Sequence, residues 1–408
     1  MTTPLVTAMV STYASERYLA GCLDDLLAQT LGERLEIVVV DASSPQREGE
    51  IVRAYQQRHG NIRYLRTETR ECTSAAFNRA TALARGRHLT TANTDDRHHP
   101  EFCARMAAVL EQRPVGLVYA DSGIATVDNE TWHDTTATRR FRWPDYTPAA
   151  ALSCCLFGAQ PMWRRDLHER AGAWSTDLKI ANDHDMFLRL ARVGGAVRID
   201  EVLGLFLQRP DSNAGSGRRD AVLAEACSVF RAHRRQWSLD EIVPGATGHG
   251  PFAEAAAWFE LGNLCALGPY TDAEAALDCY RAALALPLAG GEAAQVREAF
   301  ANNSACILAA AGAGAAATRA FGLAAPSPRR THNLALAAAS PPVPLRAFRF
   351  VELEHEVVRR ARTACGVTVD SAGRVHDTVS EQRRPWDVFD GPNGLPWRRT
   401  PESAGVAG

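Results

Sequence analysis

The chain has 408 residues, which suggests two or three domains at ordinary domain sizes of roughly 100–200 residues. Apolar residues make up 46% of it and charged residues 23%, as is usual for a globular protein in water. The formal net charge is −2, so the composition lacks the basic excess that would indicate binding to nucleic acid or to an anionic membrane surface.

The ten cysteines are scattered along the chain, and only Cys154 and Cys155 are close neighbours. This spacing excludes a zinc framework or a disulfide scaffold and favours a reducing, cytoplasmic location. The first residues lack a charged segment and a cleavage site, so we expect no signal peptide. The Ala/Gly-rich stretch 305–325 contains Arg319, and we expect buried helices there instead of a transmembrane segment.

The first 120 residues alternate between short apolar runs and amphipathic segments. Strands are predicted at residues 5–10, 35–40, 62–65, 88–92 and 115–119, and helices at 16–29, 49–58, 74–84 and 100–112. This alternation predicts a mostly parallel sheet with helices on both faces. Ligands of such sheets bind at the carboxyl ends of the strands, so the polar turns 11–13, 41–44 and 93–96 are expected to face one crevice.

The character of the sequence changes at residue 221, because alanine then dominates and strand patterns disappear. Residues 255–287 resemble a tetratricopeptide repeat, a helix-turn-helix unit of about 34 residues. Trp258 and Gly262 fit that pattern, and residues 292–325 form a weaker second unit. A plain α-helical hairpin domain is the alternative interpretation.

These patterns predict three parts of the chain. Residues 1–220 would form the α/β domain, residues 221–350 the tetratricopeptide-like helical domain, and residues 351–408 a helix followed by an irregular tail. Trp386 and Trp397 are the isolated aromatic side chains by which that tail could dock.

A set of polar motifs occurs in order along the first half of the chain. They are Val10-Ser11-Thr12-Tyr13, the run LEIVVVDASS at 35–44, Asn93-Thr94-Asp95-Asp96-Arg97, and Asn182-Asp183-His184-Asp185 before an apolar helical pattern. Over about residues 4–215 this order resembles the family-2 glycosyltransferases. The resemblance implies a GT-A fold, which is a Rossmann-like mixed, mostly parallel sheet, followed here by the all-α domain. It also implies transfer of a sugar from a nucleoside-diphosphate sugar with inversion at the anomeric carbon.

Asp95 and Asp96 follow a predicted strand directly. A leaving nucleoside diphosphate is strongly negative, and carboxylate oxygens bind the Mn²⁺ or Mg²⁺ that offsets such charge. The resemblance implies that Asp96 is the metal ligand and that Asp95 binds the metal or the donor ribose. Asn93 stands where the common form of this turn has aspartate. The structural alternative is an acidic turn that caps the helix beginning near Pro100.

Further donor-binding residues are implied by the same resemblance. Thr12, Tyr13 and Asp41 would contact the nucleoside, although Ala42 replaces the second aspartate of the usual pair and leaves the base unspecified. Arg209 lies in the segment 208–212, which resembles the closing segment of the family, where an arginine lies near the diphosphate. An ordinary surface arginine is the alternative.

Asp183 begins a predicted helix and is implied to be the general base that deprotonates the acceptor. A helix N-terminus lowers the pKa of a carboxyl group, so burial or the metal would have to restore its basicity. Asn182 stands where the family usually has glutamate, and Asp185 is expected to point away and to be structural. The alternative is that Asp183 only caps the helix.

We therefore predict a metal-dependent, inverting glycosyltransferase without a transmembrane segment or a nucleic-acid partner. The helical domain would bind a peptide or protein acceptor, since repeat domains present concave surfaces to such partners. Alternatively it would form a homo-oligomer, and the acceptor would be a glycan or a small natural product. A function of another class is also open, namely a non-catalytic interaction protein with a degenerate transferase domain and partner-binding repeats.

Overall fold

The computed structural model describes residues 3–209, 219–370 and 372–381. Its strands are β1 (Val6–Thr12), β2 (Leu35–Asp41), β3 (Ile62–Arg66), β4 (His88–Thr91), β5 (Arg97–His98), β6 (Leu117–Ala125), β7 (Arg140–Phe141), β8 (Met162–Arg164), β9 (Ala196–Leu207), β10 (Thr363–Val369) and β11 (Val375–Glu381). The helices of the first half are α1 (Glu16–Leu27), α2 (Glu48–Gln56), α3 (Thr73–Leu83), α4 (Phe102–Gln112), α5 (Pro148–Ser153), α6 (Arg165–Ala171) and α7 (Asn182–Gly194).

The strands form one mixed sheet in the order β11-β10-β9-β6-β8-β4-β1-β2-β3, with β5 paired to β9 and β7 to β6. Strands β4, β1, β2 and β3 are parallel neighbours, and so are β6, β9 and β10, whereas β8 runs antiparallel between β4 and β6. The predicted α/β class with a mostly parallel sheet is confirmed. Each predicted strand and helix of the first 120 residues is present, with ends that differ by a few residues.

Strand β9 was not predicted, because its sequence is not a continuous apolar run. It carries Arg198 near its start, and the side chain of this residue is buried. Arg198 forms ion pairs with Asp121 on β6 and with Asp145. A buried charge is tolerated only where partners compensate it. These partners lie 77 and 53 positions away in the sequence, so no local pattern identifies the strand.

The second half is helical, as predicted. Its helices are α8 (Arg219–Gln236), α9 (Leu239–Ile242), α10 (Pro251–Leu267), α11 (Ala273–Leu284), α12 (Gly290–Ala310), α13 (Gly314–Phe321), α14 (Pro328–Ala337) and α15 (Glu356–Arg362). Helices α10 and α11 approach closely at Gly262, where a Cβ atom would lie 2.4 Å from the ring of Tyr280. The requirement for glycine there agrees with the repeat pattern, but the assignment to tetratricopeptide repeats stays a prediction.

The last part of the chain differs from the irregular tail that the sequence suggested after its helix. The predicted helix is α15, but β10 and β11 follow it as an antiparallel hairpin whose first strand pairs with β9. The sequence suggests an irregular tail because β11 is rich in polar residues, whereas in the structure the edge of β9 supplies the pairing for β10. Residues 382–408, with Trp386 and Trp397, lie outside the described residues.

No helix in the described part of the chain is both long and apolar enough to cross a membrane.

The α/β part and the helical part share one hydrophobic core. A single cluster contains Trp163 and Phe187 beneath the sheet together with Phe230 and Phe259 of the helical part. Helix α5 packs against α8, α9 and α10, and α7 packs against α8. The predicted boundary near residue 220 therefore divides the sequence but not the core.

A chain that ends at residue 220 is expected to lose its cooperative fold, because it would expose the faces of α5 and α7 that α8 and α10 cover. Circular dichroism during heating and size-exclusion chromatography would measure this. A chain that ends at residue 381 is the control and should keep the melting transition of the full protein. A monomeric 1–220 fragment with a sharp melting transition would contradict the shared core.

Candidate active site

The acidic turn lies directly after β4, in the middle of the sheet. Asp96 is 2% exposed; its Oδ1 accepts a hydrogen bond from the main-chain N–H of Leu207 (3.2 Å), and its Oδ2 accepts one from Asn93 Nδ2 (2.9 Å). Burial, reinforced by the negative charge of Asp95, raises the pKa of Asp96 to about 7. The turn thus concentrates negative charge that the described residues only partly compensate.

Arg209 faces this turn from the end of β9. Its Nη2 donates to Asp95 Oδ2 (3.2 Å), and its Nη1 donates to the hydroxyl of Tyr18 on α1 (2.8 Å). The Tyr18 hydroxyl in turn donates to Asp128 Oδ1 (3.0 Å). The side chain of Asp95 remains 28% exposed, so it is the more accessible of the two carboxylates. Pro210, Asp211 and Ser212 of the same predicted segment lie outside the described residues.

Thr12 and Asp41 are direct neighbours at the ends of β1 and β2. The carboxylate of Asp41 is fully buried: Oδ1 accepts from the N–H of Ser44 (2.7 Å), and Oδ2 accepts from Tyr64 (2.7 Å) and Arg66 (2.5 Å). Since this carboxylate accepts three hydrogen bonds, whereas Asp96 accepts one at each oxygen, Asp41 organises the turn that follows β2, and its direct contact with a nucleoside stays a prediction.

The hydroxyl of Thr12 differs from the carboxylate of Asp41 in its hydrogen bonding. Its Oγ1 is buried, and within the described residues it has no hydrogen-bond partner. A buried hydroxyl without a partner costs free energy unless a ligand or water supplies one. Tyr13 follows on the rim, where the guanidinium of Arg70 lies 4.2 Å from the centre of its ring.

Asp183 lies in the first turn of α7, which begins at Asn182. Its Oδ1 accepts from the main-chain N–H of His184 (2.7 Å), while Asn182 Nδ2 donates to Ser74 Oγ at the start of α3 (2.9 Å). Burial raises the pKa of Asp183 to about 6, and the N–H donors of the helix end offset this only in part. Ala181 occupies the N-cap position, but the carboxylate of Asp183 still accepts a main-chain N–H at the helix end, so its role as general base stays a prediction.

The helical part of the chain holds this turn of α7. Glu225 of α8 accepts hydrogen bonds from three consecutive main-chain N–H groups just before the helix, those of Lys179, Ile180 and Ala181, at 2.9, 2.5 and 2.7 Å. Four residues into α7, Asp185 Oδ1 lies 2.9 Å from His233 Nε2 of α8. Asp185 is therefore structural, as expected from its position.

A loop of residues 154–161 is hydrogen-bonded beside the acidic turn and also carries Cys155, whose pKa responds to Asp183. On one side, Thr91 Oγ1 at the end of β4 donates to Ala159 O (3.2 Å), and Gln160 Nε2 donates to Arg97 O directly after Asp96 (3.0 Å). On the other side, burial and the charge of Asp183 raise the pKa of Cys155. The structure thus brings Arg209 into contact with Asp95, beside Asp96, whereas the position of Asp183 in the same site stays a prediction.

Three residues that the sequence did not single out belong to this site. Tyr18 orients Arg209, Glu225 fixes the chain before Asp183, and Tyr270 lies near Asp183, whose charge contributes to raising the pKa of the Tyr270 hydroxyl after the larger effect of burial. Tyr18 sits among the core-facing positions of α1, so its sequence pattern is that of an ordinary core residue.

Asp95 and Asp96 are the candidate ligands for a divalent cation. Asp95 and Asp96 present hard carboxylate oxygens at one strand end, which suits Mg²⁺ or Mn²⁺. Within the described ranges there is no cluster of three or more histidine, cysteine, aspartate or glutamate side chains that could hold a metal ion. The two carboxylates therefore fit a cation that takes its other ligands from water and a donor diphosphate, as Mg²⁺ commonly does.

The α/β part of the chain is similar to known proteins. Residues 7–166 match the model of glycosyl transferase family 2. The uncharacterized glycosyltransferase EpsJ of Bacillus subtilis is 28% identical over 217 residues, which cover 51% of this chain and 62% of EpsJ. The chain thus spans less than two thirds of that relative.

Solved structures resemble the chain more distantly. TarS of Staphylococcus aureus aligns with 15% identity and a TM-score of 0.48 over 82% of this chain and 52% of TarS. The mannosyltransferase PcManGT of Pyrobaculum calidifontis, solved with GDP-Man and Mn²⁺, aligns with 21% identity and a TM-score of 0.46, over 72% of this chain and 79% of that one.

Proposed function

We propose that the protein transfers a sugar from a nucleoside-diphosphate sugar to an acceptor nucleophile, with inversion at the anomeric carbon and with a divalent cation in the site. The observation that carries this proposal is the acidic turn at the end of β4, which Arg209 contacts, inside the segment that matches glycosyl transferase family 2. A cation and an arginine beside carboxylates suit a substrate that leaves as a diphosphate.

Asp96 and Asp95 would hold the cation, Mn²⁺ or Mg²⁺. When bound, it supplies positive charge that stabilises the leaving diphosphate. Arg209 adds a second positive charge on the same side, and Tyr18 keeps its guanidinium aimed at Asp95. Arginine suits this position because its planar donor groups bind phosphate oxygens in pairs.

The nucleoside would lie over the ends of β1 and β2. The hydroxyl of Thr12, which has no hydrogen-bond partner among the residues that the structure describes, is suited to bond a polar atom of the donor, and the ring of Tyr13 lies at the rim. Asp41 would act by holding the turn that follows it and by fixing Tyr64 and Arg66 on β3.

Asp183 would accept the proton of the acceptor hydroxyl, amine or thiol as that atom attacks the anomeric carbon. The bond to the acceptor forms while the bond from the anomeric carbon to the diphosphate oxygen breaks, so the bonding electrons leave with the diphosphate. A carboxylate whose pKa is raised to about 6 is ionised at neutral pH and is more basic than an exposed aspartate.

The test is donor turnover by the purified protein. A thermal-shift screen of nucleoside-diphosphate sugars with Mn²⁺ should find a donor that raises the melting temperature, because a ligand of the native state stabilises it. That donor should then be hydrolysed or transferred. Stabilisation by partner polypeptides but by no donor would favour the non-catalytic interaction protein instead.

Glu225→Gln should change the pH dependence of transfer. The negative charge of Glu225 contributes to the raised pKa of Asp183, so its removal should move the acidic limb of the rate profile to lower pH. The uncharged glutamine side chain also binds the three main-chain N–H groups before α7 less well than the carboxylate does. Asp183 would then be less well aligned, and we expect kcat to fall roughly tenfold. Cys155 and Tyr270, which also face Asp183, are unchanged in this variant.

Asp220→Asn is the matched control, because Asp220 is an exposed carboxylate on the same helix. It should leave both the profile and kcat within about twofold, as surface substitutions usually do. If the two variants gave the same profile, Glu225 would have no part in positioning the base.

A further inference from the structure

An extended segment of the chain crosses the helical part on a row of buried asparagines. We call residues 348–353 the strap. It follows a connection whose residues 338–342 and 346–347 are largely exposed, and it leads into α15. Beneath it lie Asn263 of α10, Asn302 and Asn303 of α12, and Asn333 of α14, each 0–2% exposed.

The asparagines bind the main chain of the strap at two positions. At residue 351, Asn303 Oδ1 accepts the N–H of Val351 (2.7 Å), and Asn303 Nδ2 donates to its carbonyl (2.9 Å). At residue 349, Asn333 Oδ1 accepts the N–H of Arg349 (2.8 Å), and Asn333 Nδ2 donates to its carbonyl (2.9 Å). Each bound residue thus has both of its main-chain polar groups satisfied by one amide.

The other two asparagines complete the row. Asn263 Nδ2 donates to Val351 O (3.2 Å), and Asn302 Nδ2 donates to Arg349 O (3.0 Å). The row is also bonded within itself, because Asn303 donates to Asn263 Oδ1 and Asn333 donates to Asn302 Oδ1, both at 3.0 Å. The amides are therefore held in place by one another as well as by the strap.

These hydrogen bonds depend on the main-chain conformation of the bound segment and not on its side chains. The two bound residues are two positions apart, which is the repeat of an extended chain. The side chain of Arg349 is exposed, whereas those of Phe348 and Leu353 are 5% exposed and supply the apolar contacts. Main-chain hydrogen bonds with pockets for selected side chains are a general mode of peptide recognition.

We propose that the asparagine row is a peptide-binding groove in which the strap is an internal occupant. When the strap lifts, an extended segment of a second polypeptide, with apolar side chains at the positions of Phe348 and Leu353, binds the same four amides. An empty groove would leave buried amides unsatisfied, so it is occupied either by the strap or by such a peptide. The connection before the strap is exposed at residues 338–342, so the strap can lift at the cost of the 3₁₀ turn Leu345–Ala347 and the bond from Arg346 to Leu267 O, while α14 and α15 stay intact. This groove needs no sugar donor and stands apart from the proposed transfer reaction.

The test uses the full chain and a fluorescent peptide of residues 346–354 as the probe. In the protein, Arg349→Pro with Val351→Pro removes both N–H donors of the strap and so weakens the internal occupant. The variant should bind the probe at least about tenfold more tightly than the wild type, in which the tethered strap competes at an effective concentration of about a millimolar.

Two probes test how the groove reads a peptide. A probe with the same two prolines remains extended but lacks the donors, so it should not bind. A probe with Arg349→Ala should bind within about threefold of the original, because that side chain is exposed. Equal binding of the proline probe, or no binding of the original probe to a folded variant, would overturn the proposal.

If the proline variant does not fold, a measurement on the wild type tests whether the strap opens. Amide hydrogen exchange at Arg349 and Val351 should be at least about 100-fold faster than in the middle of α12, because the strap opens locally. Exchange of both amides only at the rate of the slowest helix amides would mean that the strap never lifts, and the groove would then be a closed part of the core.

Discussion

Replacement of Asp183 by asparagine is expected to lower the rate of sugar transfer by about 10²–10⁴-fold, the usual contribution of a general base. Asparagine has the same shape and can still accept the N–H of His184 through its oxygen, so the first turn of α7 should persist. Binding of the donor should stay within about threefold, because Asp183 acts on the acceptor. Single-turnover rates at saturating donor would measure the effect.

Asp185→Asn provides the contrast on the same helix turn. It weakens the ion pair with Arg189 and the contact with His233, so it should lower the melting temperature. Its effect on the rate of transfer should be smaller than that of Asp183→Asn. If Asp183→Asn kept the wild-type rate, or if Asp185→Asn lost more of the rate than Asp183→Asn, then Asp183 would not be the general base.

The pH dependence of the wild type follows from the same carboxyl group. Burial raises the pKa of Asp183 to about 6, and only the ionised form can accept a proton. With the cation at saturation, which favours the ionised form of Asp96, the rate of transfer should therefore rise as the pH increases through about 6 and should level off above it. Asp183→Asn should lose this limb together with the rate.

The sheet and the acidic turn could be predicted because the information for them is local. The apolar run of β2 ends at a cluster of small polar residues, and the same is true of β1 and β4, so their carboxyl ends and the polar turns beyond them are visible in the sequence. The proximity of those turns then follows from the geometry of parallel strands. In the structure, Thr12 and Asp41 lie opposite each other at adjacent strand ends.

The surroundings of the site could not be predicted, because they depend on distant pairings. Tyr18 bonds Arg209 from 191 positions away, and Glu225 binds main-chain groups 44–46 positions before it. In sequence Glu225 is one more acidic residue on a polar helix. Only the packing of α8 on α7 makes it a ligand for the chain that leads into Asp183.

Asp41 shows the same limit at a residue that the sequence did single out. Its position at the end of β2 was visible, but the occupation of its carboxylate by Tyr64 and Arg66 was not, since both belong to the neighbouring strand β3. A motif identifies where a carboxylate lies along the chain. Its protein partners decide whether it is free to meet a ligand.

Asp96→Asn is expected to separate stability from activity at the acidic turn. The variant keeps an oxygen that can accept the N–H of Leu207, and its new NH2 group can donate to Asn93 once the Asn93 amide turns its oxygen toward it. It also removes a buried charge that stands beside Asp95. The melting temperature should therefore not fall and should rise slightly, as is common when a strained functional site is relaxed. Donor binding in Mn²⁺ and the rate of transfer should fall by about 100-fold or more, because a carboxylate ligand of the cation is lost.

Removal of the cation should reproduce that loss in the wild type. Excess chelator should abolish transfer, and Mn²⁺ or Mg²⁺ should restore it to the wild type but not to Asp96→Asn. Asp134→Asn, at an exposed carboxylate, serves as the control and should respond to chelator and metal as the wild type does. Full wild-type activity in excess chelator would exclude the cation and leave Arg209 as the positive charge at the leaving group. Restoration of Asp96→Asn by metal would instead make Asp95, the more exposed carboxylate, the principal ligand.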